Sequence, residues 1–270
     1  MPLDFFSWQW YGDGSEDPYD MVYVAQTVQQ VLADHGFRST PQFASDWNYY
    51  ANPSKNADQM VKAAFQSATL TYRQDSELAR ATLYRGDAAM GPAEMPDLEL
   101  TTRTFNADGT PLKSGSAFTA VGRTLETPQR LAVSGGDKNG YAVLAGRNAQ
   151  RDRVQILITN YAIHPDFLQP TTRTHLEYNI PIVDQPMRIS IRQPPRRTDA
   201  IATDNAGYDL QVNHLPWGKA PFKVERFRID RTHDLALIDT LQREGGSIRL
   251  TAELPPPAVV LIVIQRSANQ

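Results

Sequence analysis

Apolar positions along the first part of the chain follow two alternating rhythms. Asp4 to Tyr11 is an aromatic-rich run that stops at Gly12-Asp13-Gly14, the form of a strand closed by a turn. Met21, Val24, Ala25, Val28 and Leu32 then recur at helical spacing. The pattern predicts a helix from about Pro18, with Glu16 and Asp17 suited to the positive end of its dipole and Gly36 as a stop after His35. Pro41 to Trp47 reads as the next strand. A second helix, capped by Asn56, would bury Met60, Ala63, Ala64, Ser67 and Ala68, and Arg80 to Arg85 forms a third strand. Strand–helix–strand–helix–strand is the signature of a parallel sheet.

After a helical stretch from Ser114 to Thr124 the rhythm changes. Short runs follow one another between turn residues: Arg130–Ser134, Tyr141–Arg147, Arg153–Asn160, Leu176–Val183, Met187–Arg192, Phe222–Ile229, Ile248–Glu253 and Ala258–Gln265. Several alternate with period two, as Ile189 and Ile191 do against Arg188, Ser190 and Arg192, which argues for an antiparallel β-sandwich. Gly135-Gly136 with Gly140 reads as a hairpin turn. The fold class expected is therefore α/β plus all-β, divided into residues 1–125 and 126–270.

Composition narrows the function. With 270 residues, 41% hydrophobic and 21% charged, the chain has the makeup of a soluble globular protein. A net charge of −3 gives no electrostatic reason to expect nucleic acid. Arg192, Arg196 and Arg197 around Pro194-Pro195 read as a solvated loop. The apolar run Ala258 to Ile264 is too short to span a bilayer, so no membrane partner is expected. Without cysteine there is no disulfide or thiolate zinc site. The five histidines lack ligand spacing, and G-x-S-x-G, G-x-G-x-x-G and the P-loop are absent, so neither metal nor cofactor is expected. The run Asp13, Glu16, Asp17, Asp20 is better explained by a helix N-terminus than by a cation. No signal-peptide pattern follows Met1, which leaves cytoplasm and periplasm equally open.

Two segments carry a family resemblance. Asp4-Phe5-Phe6-Ser7-Trp8-Gln9-Trp10-Tyr11 and Ser45-Asp46-Trp47-Asn48-Tyr49-Tyr50 resemble strand ends of glycoside hydrolase family 39, which contains β-xylosidases and α-L-iduronidase. Tyr84-Arg85-Gly86-Asp87 and Ile158-Thr159-Asn160-Tyr161 look like further elements of bacterial members. The resemblance implies the C-terminal portion of a (β/α)8 TIM barrel, about three βα units numbered six to eight, followed by a β-sandwich. It places Asp46 at the family's nucleophilic Glu, with Gln9, Tyr11, Trp47 and Asn48 as substrate contacts and a carbohydrate as partner. It also shows two departures, Gln9 where the family has His and Asp46 where it has Glu. The family's acid/base Glu has no counterpart.

These departures bear on chemistry. A retaining glycosidase uses two carboxyls about 5–5.5 Å apart, one as nucleophile and one as acid then base. Shortening Glu to Asp withdraws the carboxylate by roughly one bond, and misplacement near ~1 Å can cost about 10²-fold. The expectation is a family 39-type hydrolase, truncated and weakly active or inactive, with a non-catalytic carbohydrate- or protein-binding homologue as the rival. Three strands cannot close a barrel, so self-association through an open edge is also expected. Trp8 and Trp10 share a face opposite Gln9 and read as packing residues.

Overall fold

The computed structural model describes residues 2–12, 17–49, 58–84, 86, 103–136, 140–161, 175–180, 187–192 and 205–267. The first region is a parallel sheet with its strands in chain order: β1 (Phe6–Gly12), β2 (Gln42–Tyr49) and β3 (Leu78–Leu83). Helix α1 (Asp20–Asp34) joins β1 to β2, and α2 (Gln59–Tyr72) joins β2 to β3. Asp20 opens α1, and the buried Asp17 carboxylate accepts from the Tyr19 amide at 3.0 Å. Gly36, at φ +83°, follows the helix as a residue without Cβ can. Asp13, Glu16 and the expected cap Asn56 lie outside the described residues. The cap on α2 is Asp58, whose carboxylate accepts from the Met60 amide at 2.8 Å.

A bulge in β2 decides which side chains face which way. Trp8 pairs with Ala44 but Gln9 pairs with Asp46, so Ser45 is an extra residue, and its hydroxyl donates to the Trp8 carbonyl at 3.2 Å. Strict alternation would place 42, 44, 46 and 48 on one face. With the bulge, Ala44 and Trp47 both join Trp8, Trp10, Met21 and Leu70 in the core beneath the helices. Asp46 is turned instead to the side of Gln9.

The second region is antiparallel. In chain order it comprises β4 (Gln129–Arg130), β5 (Tyr141–Arg147), β6 (Arg153–Asn160), β7 (His175–Ile180), β8 (Met187–Arg192), β9 (Gly207–Val212), β10 (Phe222–Ile229), β11 (Asp234–Arg243), β12 (Ile248–Glu253) and β13 (Ala258–Arg266). Six of these form one sheet in the order β11-β10-β13-β6-β5-β4, while β9 pairs with β12 and β7 with β8. Two corrections follow. The run Arg130–Ser134 is a strand only at Gln129–Arg130, and β9 and β11 were not anticipated. Arg196 and Arg197 lie outside the described residues.

The six-stranded sheet is covered on both faces. One face takes Tyr208, Leu210, Val212, Ile248 and Leu250 from β9 and β12 against Ile156, Ile158, Val260 and Ile262. The other takes α2 and α3 (Lys113–Arg123), with Ala63, Ala64, Ala68 and Ala117 against Leu157, Val259 and Leu261. Two-sided burial explains why β13 reads as an unbroken apolar run. Helix α2 lies between the two sheets, and Met60 through Tyr72 are all buried. Its Ser67 hydroxyl meets that of Thr159 on β6 at 2.7 Å. One core thus crosses residue 125. Gly146 permits the closest approach, because a Cβ there would stand 2.0 Å from the Thr127 carbonyl oxygen.

Candidate functional site

Parallel strands present their chemistry at their C-terminal ends, where the loops leave room for a ligand. At those ends β1 and β2 bring together Gln9, Tyr11 and Asp46. Gln9 and Asp46 are register partners, and the Gln9 amide nitrogen donates to Asp46 Oδ2 at 2.8 Å. Two residues on, Tyr11 presents its ring edge-to-face to Tyr84, with centroids 6.2 Å apart. Its phenol is pushed up to about 12, by burial first and then by the negative charge of Asp46 and by Tyr84. Tyr11 therefore keeps its proton at neutral pH and can donate a hydrogen bond.

Trp47 and Asn48 require correction. Trp47 is 1% exposed and lies in the core under α1 and α2, so its ring offers no platform to a sugar. The bulge that turns Asp46 outward turns Trp47 inward. Asn48 is fully buried. Its side-chain carbonyl accepts from the Gln66 amide at 2.6 Å and its amide donates to the Tyr84 carbonyl, so it braces the strand end against α2. Trp8 and Trp10 pack where the alternation placed them, and Trp8 Nε1 donates to Gln42 Oε1 at 3.1 Å. Tyr84 is the residue the sequence missed. It follows β3 directly, its amide donates to the Trp47 carbonyl at 2.9 Å, and its exposed ring stands beside Tyr11. A strand-end aromatic was the available signal. Arg85 and Asp87 lie outside the described residues.

At the other end of the same face, Phe5 stacks on Phe43 at 5.3 Å and the Arg80 guanidinium lies 5.8 Å from the Phe43 centroid. The described groups that engage Asp46 are thus an amide and a phenol. A carboxylate so held can accept hydroxyl protons or meet developing positive charge. Among the described residues no group of three or more His, Asp or Glu could hold a metal ion, and no helix is long and apolar enough to cross a membrane.

One further titratable group was missed. Lys62 on α2 is 1% exposed, and its ammonium donates to the Arg103 carbonyl at 2.7 Å. Burial, and secondarily the charge of Arg103, pushes it down to about 7.

No protein-family model and no curated protein matches this chain. Solved structures do. A glucosidase from Croceicoccus marinus is 39% identical, with a TM-score of 0.83 over 99% of this chain and 55% of that one. The chain thus resembles about half of a glucosidase. A family 39 glycoside hydrolase from Xanthomonas axonopodis pv. citri is 14% identical, with a TM-score of 0.67 over 98% of this chain and 55% of that one. A monomeric β-xylosidase from Caulobacter crescentus CB15 is 15% identical, with a TM-score of 0.63 over 99% and 57%. These last two share the fold. The chain spans about half the length of these solved chains, and its described residues are sheet-rich with few helices.

Proposed function

We propose that the open face of the parallel sheet is the nucleophile side of a retaining, family 39-type glycosidase site for β-xylosides or similar glycosides, with slow turnover or none by this chain alone. The observation that carries the reading is the Gln9–Asp46 hydrogen bond of 2.8 Å on register-paired strand ends. In this reading β1 to β3 are strands six to eight of a (β/α)8 barrel within residues 1–125, and residues 126–270 are a β-sandwich. Asp46 takes the nucleophile's place, Gln9 orients it and Tyr11 donates toward it or toward a sugar hydroxyl. Slow turnover follows from the shortened carboxylate and from its partners. An amide carries no transferable proton, and a phenol held near 12 is a weak acid beside a carboxylic acid. The same observation favours the rival reading, a homologue that binds carbohydrate without cleaving it.

Activated aryl β-xylosides and β-glucosides, whose leaving groups need little protonation, provide the test. The wild type is expected to turn over no faster than Asp46→Ala, while Asp46→Glu restores reach and raises the rate by up to ~10²-fold. Saccharide binding without turnover, even in Asp46→Glu, would favour the binding protein. Robust wild-type turnover that is lost in Asp46→Ala would show that slow turnover is wrong.

The free edges support a second part of this proposal. Among the described residues β1 and β3 each pair on one side only, and Phe6, the first residue of β1, is exposed with Phe5 just before it. Parallel sheets are ordinarily covered on both faces. Self-association through this edge is therefore expected in light scattering at micromolar concentration, and a clean monomer would refute it.

A further inference from the structure

A cleft of about 570 Å³ opens between the start of α1, the end of α2 and the β4 edge of the six-stranded sheet. Its size falls in the range of about 300–1,000 Å³ typical of small-ligand sites. It shares no lining residue with Gln9, Tyr11, Asp46 or Tyr84. Tyr72 and Tyr141, both buried, form its floor, and Tyr19 stands edge-on to Tyr72 with centroids 5.2 Å apart. At the rim Arg130 and Asp75 form an ion pair at 3.2 Å, both largely in water.

The opposite wall is the segment after β4. Leu131 still donates to the Ala145 carbonyl at 2.9 Å, but the backbone groups of Ala132, Val133 and Ser134 and the Ser134 hydroxyl find no partner among the described residues. Gly136 lets this segment hug the sheet, since a Cβ there would meet Val143 Cγ2 at 3.0 Å.

The set of groups selects a ligand class. An apolar ligand would strip water from an ion pair and three unpaired peptide units without replacing their hydrogen bonds. A charged ligand gains little where one carboxylate and one guanidinium cancel. A ring of hydroxyls, each donor and acceptor, can satisfy the carboxylate, the guanidinium and the free peptide groups together. Its C–H face would rest on the partly exposed Tyr19 ring and the exposed Val133 side chain. We propose that this cleft is a second saccharide site, separate from Asp46, for a neutral sugar. The proposal shares with the Asp46 reading only the ligand class.

Calorimetric titration and saturation-transfer NMR of the full chain with cellobiose and xylobiose test it. The wild type and Asp46→Ala are expected to bind one of these disaccharides equally well. Arg130→Ala and Asp75→Ala should each weaken binding ~10-fold, a change of about 1.4 kcal/mol. Both side chains are exposed, so matching thermal melts will confirm that the variants fold. Three results would overturn the proposal: no binding of either disaccharide, binding unchanged in both rim variants, or binding abolished in Asp46→Ala. The last would leave the Asp46 reading standing and remove only this one. Rim-dependent binding with an Asp46→Glu variant no faster than Asp46→Ala would do the reverse.

Discussion

The parallel sheet and the six-stranded sheet are built from similar strand-forming residues and differ in what covers them. In the six-stranded sheet both faces are occupied, one by α2 and α3 and the other by β9 and β12. Its central strands, β6 and β13, accordingly keep almost nothing for water. In the parallel sheet one face lies under helices, and the other shows Phe5, Gln9, Arg80 and Tyr84 to solvent. The difference separates two tasks. The six-stranded sheet supplies cohesion, and the parallel sheet supplies a surface on which a carboxylate, an amide and a phenol meet.

The largest expected effect tests that contrast directly. Leu261→Ala, at a fully buried position in β13, should lower stability by about 2–5 kcal/mol in urea unfolding. Phe5→Ala, at a side chain 52% exposed on the open face, should change it by under ~1 kcal/mol. Equal losses would mean that the open face is covered in solution and that the comparison is wrong.

Next comes Lys62, at the junction of the regions. Its folded-state value is about 7 against 10.5 for the free side chain, so the unfolded chain binds the proton more tightly. Stability should therefore rise with pH between about 7 and 10.5 and be indifferent to this group below that window. Lys62→Met should flatten that rise, a change of a few kcal/mol at most, read from unfolding midpoints across the range. An unchanged slope would show that the ammonium reaches water.

Gly146→Ala forces a Cβ toward the Thr127 carbonyl at the margin of the six-stranded sheet, with an expected loss of about 1–3 kcal/mol. The same substitution at the exposed Gly122, where nothing lies within 4 Å of the added atom, is the control and should not destabilise. The smallest effect belongs to Tyr11. Its phenolate should appear near 12 in an absorbance titration, and Asp46→Asn should bring that value down toward 10. Because the folded value is raised, the associated stability is present below pH 10 and fades as pH climbs through about 12. A midpoint unmoved by Asp46→Asn would remove the charge contact between the two residues.

Much of this arrangement is legible in the residues. Helical spacing marked α1 and α2, and the aromatic run marked β1. The unbroken stretch at Ala258 marked a buried strand, although not the two layers that bury it. Strand β9 carries the same signal more weakly, since Tyr208, Leu210 and Val212 alternate with Asp209 and Gln211 over only six residues. Trp47 faces inward for a reason no pattern reveals. Its orientation depends on a hydrogen-bond register that admits one unpaired residue, and register belongs to the pairing of two strands. Asn48 falls on the side of Asp46, and it is withheld from a ligand by its bonds to Gln66 and Tyr84. The meeting of Gln9 with Asp46 was expected from the resemblance of the two strand ends, but their hydrogen bond was not.

The extra residue at Ser45 gives the strand end a parity. Deleting Ser45 would leave Ala44 and Asp46 as successive partners of Trp8 and Gln9, so the carboxylate would keep its place on the open face and Trp47 its place in the layer held by Leu70 and Met21. What such a deletion would remove is the bulge itself and the hydroxyl that Ser45 donates to the Trp8 carbonyl. The sides would be exchanged only by a register in which Ser45 faced Gln9, which would present an indole where this chain has an acid. The parity of the site is thus held by the pairing of two strands and not by the number of residues in one of them.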